Sequence, residues 1–171
     1  MRSMRWLSIA LFACLLSWLA LFEAASRPHL GAWTPNFALA ASLAVLARAE
    51  ERDWWWLFAA TIWARGIVAA EPAALVVAGT AFVLWGAFVA RGVFDLAGHA
   101  GRALAAALAS LALGALSALS HLASAQGSSA LAWAALADAS PSAVGTGLFA
   151  LLLGGLLQSL PGLSPLARRA S

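Results

Sequence analysis

Long apolar runs separated by short polar or charged turns fill the sequence. The runs cover residues 6–25, 35–49, 54–70, 73–90, 103–122 and 142–160. A helix that crosses a bilayer needs about 20 predominantly apolar residues, and most of these runs approach that length. They are continuous instead of alternating, which favours helices over the strands of a membrane barrel. The pattern predicts an all-α, polytopic membrane protein, in which residues 1–171 form one integral membrane domain with six transmembrane helices.

The turns between the runs predict where helices begin and end. Residues 26–33, around Pro28, predict a short polar loop. Glu71-Pro72 predicts a tight corner, because proline suits the first turn of a helix and an acid is stabilised beside a helix N-terminus. Residues 123–141 begin too polar for the membrane core, and their middle predicts a short helix lying at the interface.

The composition supports a membrane environment and limits the partners. Apolar residues make up 63% of the chain and charged residues 10%, with a mean hydropathy of +0.88. A soluble domain carries about a quarter of charged residues, so the lipid bilayer must be part of the solvent here. The net charge of +3 comes from arginines that lie mostly at the ends of the runs. We interpret them as topology signals and expect no nucleic-acid partner.

The distribution of arginine predicts the orientation in the membrane. With six crossings, one side receives nearly all arginines of the turns and termini: Arg2, Arg5, Arg48, Arg52, Arg91, Arg102, Arg168 and Arg169. Only Arg27 falls on the other side, and Arg65 lies within a run. Cytoplasmic loops of membrane proteins are enriched in arginine and lysine. We therefore expect both termini in the cytoplasm, with the turns at Arg27, at Glu71 and at 123–141 facing outward.

Arg65 is the sharpest anomaly, because it lies within the third apolar run. An arginine at the centre of a span costs roughly 3 kcal/mol on insertion scales and usually faces protein or water. One interpretation is that Arg65 binds a neighbouring helix, a partner protein or an anionic group. The other is that it reaches toward the outer end of its helix and pairs with an acid, for which Glu71, Glu23 and Asp138 are the candidates.

A stripe of small and polar residues follows one face of the fifth run. Ser110, Gly114, Ser117 and His121 fall at positions i, i+4, i+7 and i+11. Such a face lets helices approach closely and hydrogen-bond across the contact, so internal packing is the first interpretation and a substrate path the second. Our candidates for interhelical or partner contacts are therefore Arg65, Glu71, Ser110, Gly114, Ser117 and His121. The pairs Gly86 and Ala90, and Ala150 and Gly154, are shorter faces of the same kind.

Motifs for catalysis are missing from the sequence. It contains no glycine-rich phosphate loop, no HExxH motif and no serine nucleophile elbow. No acid lies deep in a run, where proton- or sodium-coupled transporters carry one. The three histidines lie far apart, without cysteine or carboxylate at metal-ligand spacing. We expect no enzymatic activity, no catalytic residue, no cofactor and no metal site.

The layout resembles that of the rod-shape-determining MreD family. Chains of that family often begin the second span with a proline-containing dipeptide, and Pro35-Asn36 stands there in this sequence. They continue with a charged cytoplasmic turn, here residues 47–53, and a proline-containing corner, here Glu71-Pro72. Their fourth span ends on basic residues, here Arg91. This chain departs from the pattern at residues 62–66, which contain Arg65 where the family often has an aspartate.

The resemblance implies a non-enzymatic scaffold of the bacterial cell-elongation machinery, which shapes rod cells through peptidoglycan synthesis. It implies a location in the inner membrane. It also implies an MreC-like partner, with the MreB-linked elongation complex, a class B penicillin-binding protein and a SEDS glycosyltransferase around it.

A second function stays open. The MreD fold is similar to that of the substrate-binding subunits (S-components) of energy-coupling-factor transporters, so the alternative is a small-molecule-binding membrane subunit of such a transporter. A binder needs polar and aromatic residues that converge on an outward pocket. The outward turns offer Trp33, His29 and Trp133 and little else, which favours the scaffold.

Overall fold

A computed structural model describes residues 2–69, 72–92, 95–96, 98–123 and 129–158, and for residues 2–5 and 157–158 it describes the backbone alone. Across these ranges the regular elements are helical. The α-helices are α1 (Arg2–Leu30), α2 (Phe37–Leu46), α3 (Trp54–Val68), α4 (Ala73–Ala90), α5 (His99–Ala123) and α6 (Ser129–Gln158). The predicted all-α fold class is confirmed.

Among the described residues, four helical segments are long and apolar enough to cross a membrane. They are Trp6–Trp33, Ala73–Ala90, His99–Ala123 and Ser129–Leu156. α2 has 10 residues and α3 has 15, which is less than a full crossing requires. The apolar helices indicate a membrane-embedded protein, whereas the number of crossings stays a prediction.

The short helix α2 lies at the centre of the bundle. All of its residues are buried, and it packs against α1, α3, α5 and α6. A helix that is apolar on every side is stable only when other helices surround it. The Asn36 side chain caps α2 by accepting a hydrogen bond from the backbone amide of Leu39 at 3.2 Å. Phe12, Leu16, Leu57 and Leu84 are fully buried parts of the core around it.

Side-chain contacts show which helix ends lie at the same end of the bundle. The rings of Trp6 and Trp56 meet with centroids 4.8 Å apart, so α1 and α3 begin at the same end of the bundle. Arg91, after α4, donates to the carbonyl of Ala49 at 3.0 Å and contacts Glu51 at 3.4 Å. We call this the N-terminal end, and we call the end where α1 finishes and α2 begins the far end.

Several helix boundaries differ from the sequence prediction, and two of these differences change its interpretation. α1 continues through Pro28 to Leu30, so the polar loop predicted over 26–33 is wrong for its first part. α6 begins at Ser129 and runs through Pro141, so residues 129–141 do not form a separate interfacial helix. Proline is tolerated in helices of membrane proteins because neighbouring groups compensate its missing hydrogen bond. Polarity marks where a chain meets water, and a helix can extend past that point.

Helices α5 and α6 pack closely along much of their length. Gly114 makes this approach possible, because a Cβ atom there would collide with the Cβ of Ala139. A Cβ on Gly147 would lie 3.2 Å from the carbonyl oxygen of Ala103. Small residues at helix contacts are the usual device for close packing in lipid. The α5–α6 pair therefore forms one rigid wall beside α2.

Candidate functional site

A polar cleft opens at the far end, between α1 and α3 on one side and α5 and α6 on the other. One part has a volume of about 430 Å³, and an adjoining part has a volume of about 400 Å³. Both parts are lined by Glu23, Arg27 and Arg65. The first part adds Thr34, Asn36, Ser110, Gly114, Ser117, Asp138 and Ser142, and the second adds Pro72, Ser120 and His121. We call the two parts together the polar cleft.

Glu23 is the electrostatic centre of the polar cleft. Its side chain is 12% exposed, and its Oε1 lies 4.0 Å from Nη2 of Arg27, one helical turn further along α1. Burial of the side chain disfavours its negative charge, whereas the positive charges of Arg65 and Arg27 favour it. A carboxylate within an apolar helix is costly unless such groups surround it. The arrangement explains how α1 can carry an acid.

Arg65 therefore lies beside one of the acids considered as its partner. Its charge acts on Glu23, and Asp138 lines the same cleft on the opposite wall. Glu71, the third candidate, lies outside the described residues, and no contact of it is assigned.

The stripe of α5 forms one wall of the polar cleft. Ser110, Gly114 and Ser117 line its first part, and His121 lines the second. Five of the six sequence candidates thus come together around one cavity, with Arg65 facing the α5 stripe. Whether these residues contact a partner or a ligand stays a prediction.

A hydrogen-bonded seam fixes the floor of the cleft. The Thr146 hydroxyl is fully buried, accepts a hydrogen bond from the backbone amide of Asn36 at 2.8 Å and donates to the carbonyl of Ser142 at 2.7 Å. The same hydroxyl lies 3.4 Å from that of Ser110. Ser142 in turn donates to the carbonyl of Thr34 at 3.0 Å. The seam ties α6 to the start of α2 and to α5, so the walls of the cleft hold a defined spacing.

Sequence reasoning treated Glu23 and Asp138 only as possible partners of Arg65, and it did not assign Asn36 or Thr146. The sequence did contain a signal for the role of Glu23. Glu23 and Arg27 stand four residues apart, so they share one helix face if the helix continues through Pro28. The roles of Asn36 and Thr146 depend on contacts between residues far apart in the chain, which no local pattern marks.

A buried arginine lies at the N-terminal end. Arg102 is 1% exposed, and its Nε donates to the carbonyl oxygen of Ala150 at 3.2 Å. Its guanidinium packs against Gly154, where a Cβ atom would collide with it. The buried Nη2 has no hydrogen-bond partner among the described residues. The interpretation of Arg102 as a simple topology signal is therefore incomplete, since the side chain also joins α5 to α6.

An apolar groove runs between α4 and α5 on the lateral surface. Its volume is about 270 Å³. Small residues and larger apolar side chains together form its lining. The lining comprises Phe82, Val83, Gly86, Ala87, Ala90, Leu96, Gly101, Leu104, Ala105, Leu108, Ala109 and Ala112. We call it the α4–α5 groove.

The polar cleft presents charged and hydroxyl groups, and the α4–α5 groove presents apolar groups. Within these ranges no group of three or more His, Cys, Asp or Glu side chains is placed to hold a metal ion. Cys14 is exposed on α1 and forms no disulfide. In comparisons with known proteins, no family model, no curated protein and no solved structure matches this chain.

Proposed function

We propose that this protein is a non-enzymatic membrane scaffold of the bacterial cell-elongation machinery. Its direct partner is an MreC-like protein, and through that partner it associates with the MreB-linked complex, a class B penicillin-binding protein and a SEDS glycosyltransferase. The partner identities come from the resemblance around Pro35-Asn36 and Arg91. The proposed mode of binding is inferred from the surface of the helix bundle.

The α4–α5 groove is the observation that carries the proposal. Gly86 is exposed, and nothing lies within 4 Å of the position that a Cβ atom would take there. Gly86 and Ala90 from α4 face Gly101 and Ala105 from α5 across the groove. In lipid the hydrophobic effect does not drive helices together, so association depends on close packing of small residues. A transmembrane helix of the partner fits such a groove and gains that packing.

The residues named in the resemblance have structural roles that suit a rigid scaffold. Asn36 caps α2 with its side chain and donates a backbone hydrogen bond to Thr146. Arg91 donates to the carbonyl of Ala49 in the turn after α2 and lies over the rings of Trp54 and Phe88. The distances from the guanidinium carbon to the two ring centroids are 4.8 and 5.5 Å. Contacts of this kind are worth about 0.5–2 kcal/mol each. They hold the helix ends that border the groove.

The orientation that accompanies the proposal places both termini in the cytoplasm of a bacterium and the chain in its inner membrane. Arg48, Arg52 and Arg91 lie at the N-terminal end, which supports a cytoplasmic position of that end by the positive-inside rule. The polar cleft then faces outward.

The test is a mild-detergent pull-down of tagged full-length protein from its native membrane, with co-purifying chains identified by mass spectrometry. We expect an MreC-like protein in the wild-type sample. Gly86→Leu places a larger side chain in the α4–α5 groove, at a position where an added Cβ meets nothing within 4 Å. We expect it to lower partner recovery about tenfold, equivalent to ~1.4 kcal/mol. Gly66→Leu is the matched control, because Gly66 is also helical, exposed and open. Equal recovery of the partner from both variants would contradict the proposal that the α4–α5 groove binds it.

The polar cleft favours a second candidate function, that of a small-molecule-binding membrane subunit of an energy-coupling-factor-type transporter. Its charged and hydroxyl groups converge on a cavity of the size that small ligands occupy. Co-purification of ATPase subunits with a coupling membrane protein, in place of an MreC-like protein, is the result that would select this function.

A further inference from the structure

We propose that the polar cleft binds a small zwitterionic solute, which carries one carboxylate and one ammonium group, as a free amino acid or a dipeptide does. The proposal goes beyond the scaffold function and does not depend on it, because the cleft and the α4–α5 groove have no lining residue in common. A chain of this kind can hold a partner helix on one face and a solute at the far end.

The size of the cleft sets the size of the ligand. Its two parts, of about 430 and 400 Å³, share the lining residues Glu23, Arg27 and Arg65. Ligand pockets of proteins usually measure about 300–1,000 Å³. The first part alone accommodates an amino acid, and a dipeptide extends into the second toward His121.

The charges on the walls set the overall charge of the ligand. Among the described lining residues, Arg27 and Arg65 are basic and Glu23 and Asp138 are acidic, so formal charges balance. A ligand with a net charge would upset that balance beside Glu23, whose side chain is only 12% exposed and is therefore weakly screened by water. A zwitterion adds one charge of each sign and leaves the balance unchanged.

Arg27 is the group that receives the carboxylate. Its side chain is 71% exposed, and its contact with Glu23 at 4.0 Å is longer than a hydrogen bond. The guanidinium therefore keeps N–H donors that Glu23 does not engage. Two parallel hydrogen bonds from a guanidinium to a carboxylate are a strong and geometrically specific contact.

Asp138 is the group that receives the ammonium. It is exposed on α6, lines the same cleft as Arg27 and forms no ion pair with a described basic side chain. The cleft thus presents one basic and one acidic group on different walls that are not paired with each other. Such a pair of opposite charges matches the two ends of a zwitterion and rejects solutes that have only one of them.

Ser117 completes the site between the two charges. It lies on the α5 wall of the cleft, one turn after Gly114, where α5 and α6 pack closely. A hydroxyl both donates and accepts hydrogen bonds, so Ser117 serves either end of the ligand.

The test measures binding to purified full-length protein in lipid nanodiscs. The probes are L-serine and L-alanyl-L-alanine, and lactate and ethanolamine are controls that each retain one of the two charges. We expect at least one zwitterion to bind with a Kd of about 1 mM or tighter, and neither control to bind at about 10 mM. Failure of both zwitterions at about 10 mM, or equal binding of either control, would overturn the proposal.

Matched variants localise the binding. We expect Arg27→Gln and Asp138→Asn each to weaken zwitterion binding about tenfold or more, since each removes one of the two charge contacts. Arg52→Gln is the control, because Arg52 is an exposed, ion-paired arginine away from the cleft, beside Glu50. The Asp138 side chain is exposed and forms no ion pair with a described basic side chain, so the thermal unfolding of Asp138→Asn should match that of the wild type. Arg27→Gln also removes a charge that faces Glu23, so its thermal unfolding is compared with that of Glu23→Gln. Unchanged affinity in Arg27→Gln would contradict the site, whereas recovery of the MreC-like partner tests the scaffold separately.

Discussion

The two ends of the bundle treat arginine in opposite ways. At the N-terminal end, Arg102 is sealed between α5 and α6, held by the carbonyl of Ala150 and covered by Gly154. At the far end, Arg27 and Arg65 line an open cleft around Glu23. A sealed arginine whose contacts are within the chain serves packing. Arg27, with a side chain that is 71% exposed at this open cavity, is available for binding, because ligand and solvent can reach it.

This comparison separates the residues that stabilise the fold from those that can bind a ligand. At the N-terminal end, the neighbour that allows Arg102 to be buried is Gly154, since any side chain at that position would occupy the space of the guanidinium. At the far end, the features that indicate binding are the cavity that the charged residues share and the equal number of basic and acidic side chains around it. Three substitutions test this separation through their effect on stability.

The largest effect is expected for Gly154→Leu. The new side chain would collide with Arg102, and overpacking of a tight contact costs about 1–3 kcal/mol, to which displacement of a buried charge adds. We expect the free energy of unfolding to fall by about 3 kcal/mol, measured by thermal or denaturant unfolding in nanodiscs. Gly86→Leu is the same change at an open position and should cost less than about 0.5 kcal/mol. Equal losses in the two variants would show that Arg102 is not sealed as described.

A smaller effect is expected for Glu23→Gln. The substitution keeps the shape of the side chain but removes the negative charge that Arg65 and Arg27 face. We expect a loss of about 2 kcal/mol of unfolding free energy, less than the roughly 3–5 kcal/mol of a fully buried pair, because desolvation of the carboxylate offsets part of its attraction to the two arginines. Glu51→Gln is the control at an ion pair whose acid is 72% exposed, and it should cost less than about 1 kcal/mol. A stability equal to wild type for Glu23→Gln would mean that Glu23 does not organise the cleft.

The smallest of the three effects is expected for Thr146→Val. Valine has nearly the same shape, but it leaves the buried amide of Asn36 without the acceptor that lies at 2.8 Å. An unsatisfied buried donor costs about 1–3 kcal/mol, and we expect ~1.5 kcal/mol here.

Thr80→Val provides the matched control for that measurement. The Thr80 hydroxyl is buried and has no hydrogen-bond partner among the described residues, so its loss should be neutral or stabilising. The result that contradicts the seam is a Thr80 variant that loses as much stability as the Thr146 variant.

The sequence located some helices closely, for a physical reason. The run at 73–90 matches α4, because proline and arginine bracket an uninterrupted apolar segment. The run at 103–122 is shorter than α5, which starts at His99, since the prediction excluded Arg102 as polar. The ends of α1 and α6 at the far end were cut short for the same reason. Hydropathy detects contact with lipid, whereas helix continuity also depends on backbone hydrogen bonds and on packing.

The candidate site was predictable only in part. Helical periodicity placed Ser110, Gly114, Ser117 and His121 on one face of α5, and the four line the polar cleft. The facing groups come from α1 and α6, and their approach depends on how α5 and α6 pack around Gly114. The burial of Arg102 was equally inaccessible, because the glycine that receives it lies in another helix. Local patterns identify a face, and tertiary packing decides what it meets.

Site-specific photocrosslinking in the native membrane tests the scaffold proposal most directly. A photoreactive amino acid is placed at position 86 in the α4–α5 groove and, as the control, at position 66 on α3, which is also exposed and open. The account predicts a crosslink from position 86 to an MreC-like membrane protein and none to that protein from position 66. Crosslinks to lipid alone from position 86, or the same protein captured from both positions, would contradict it.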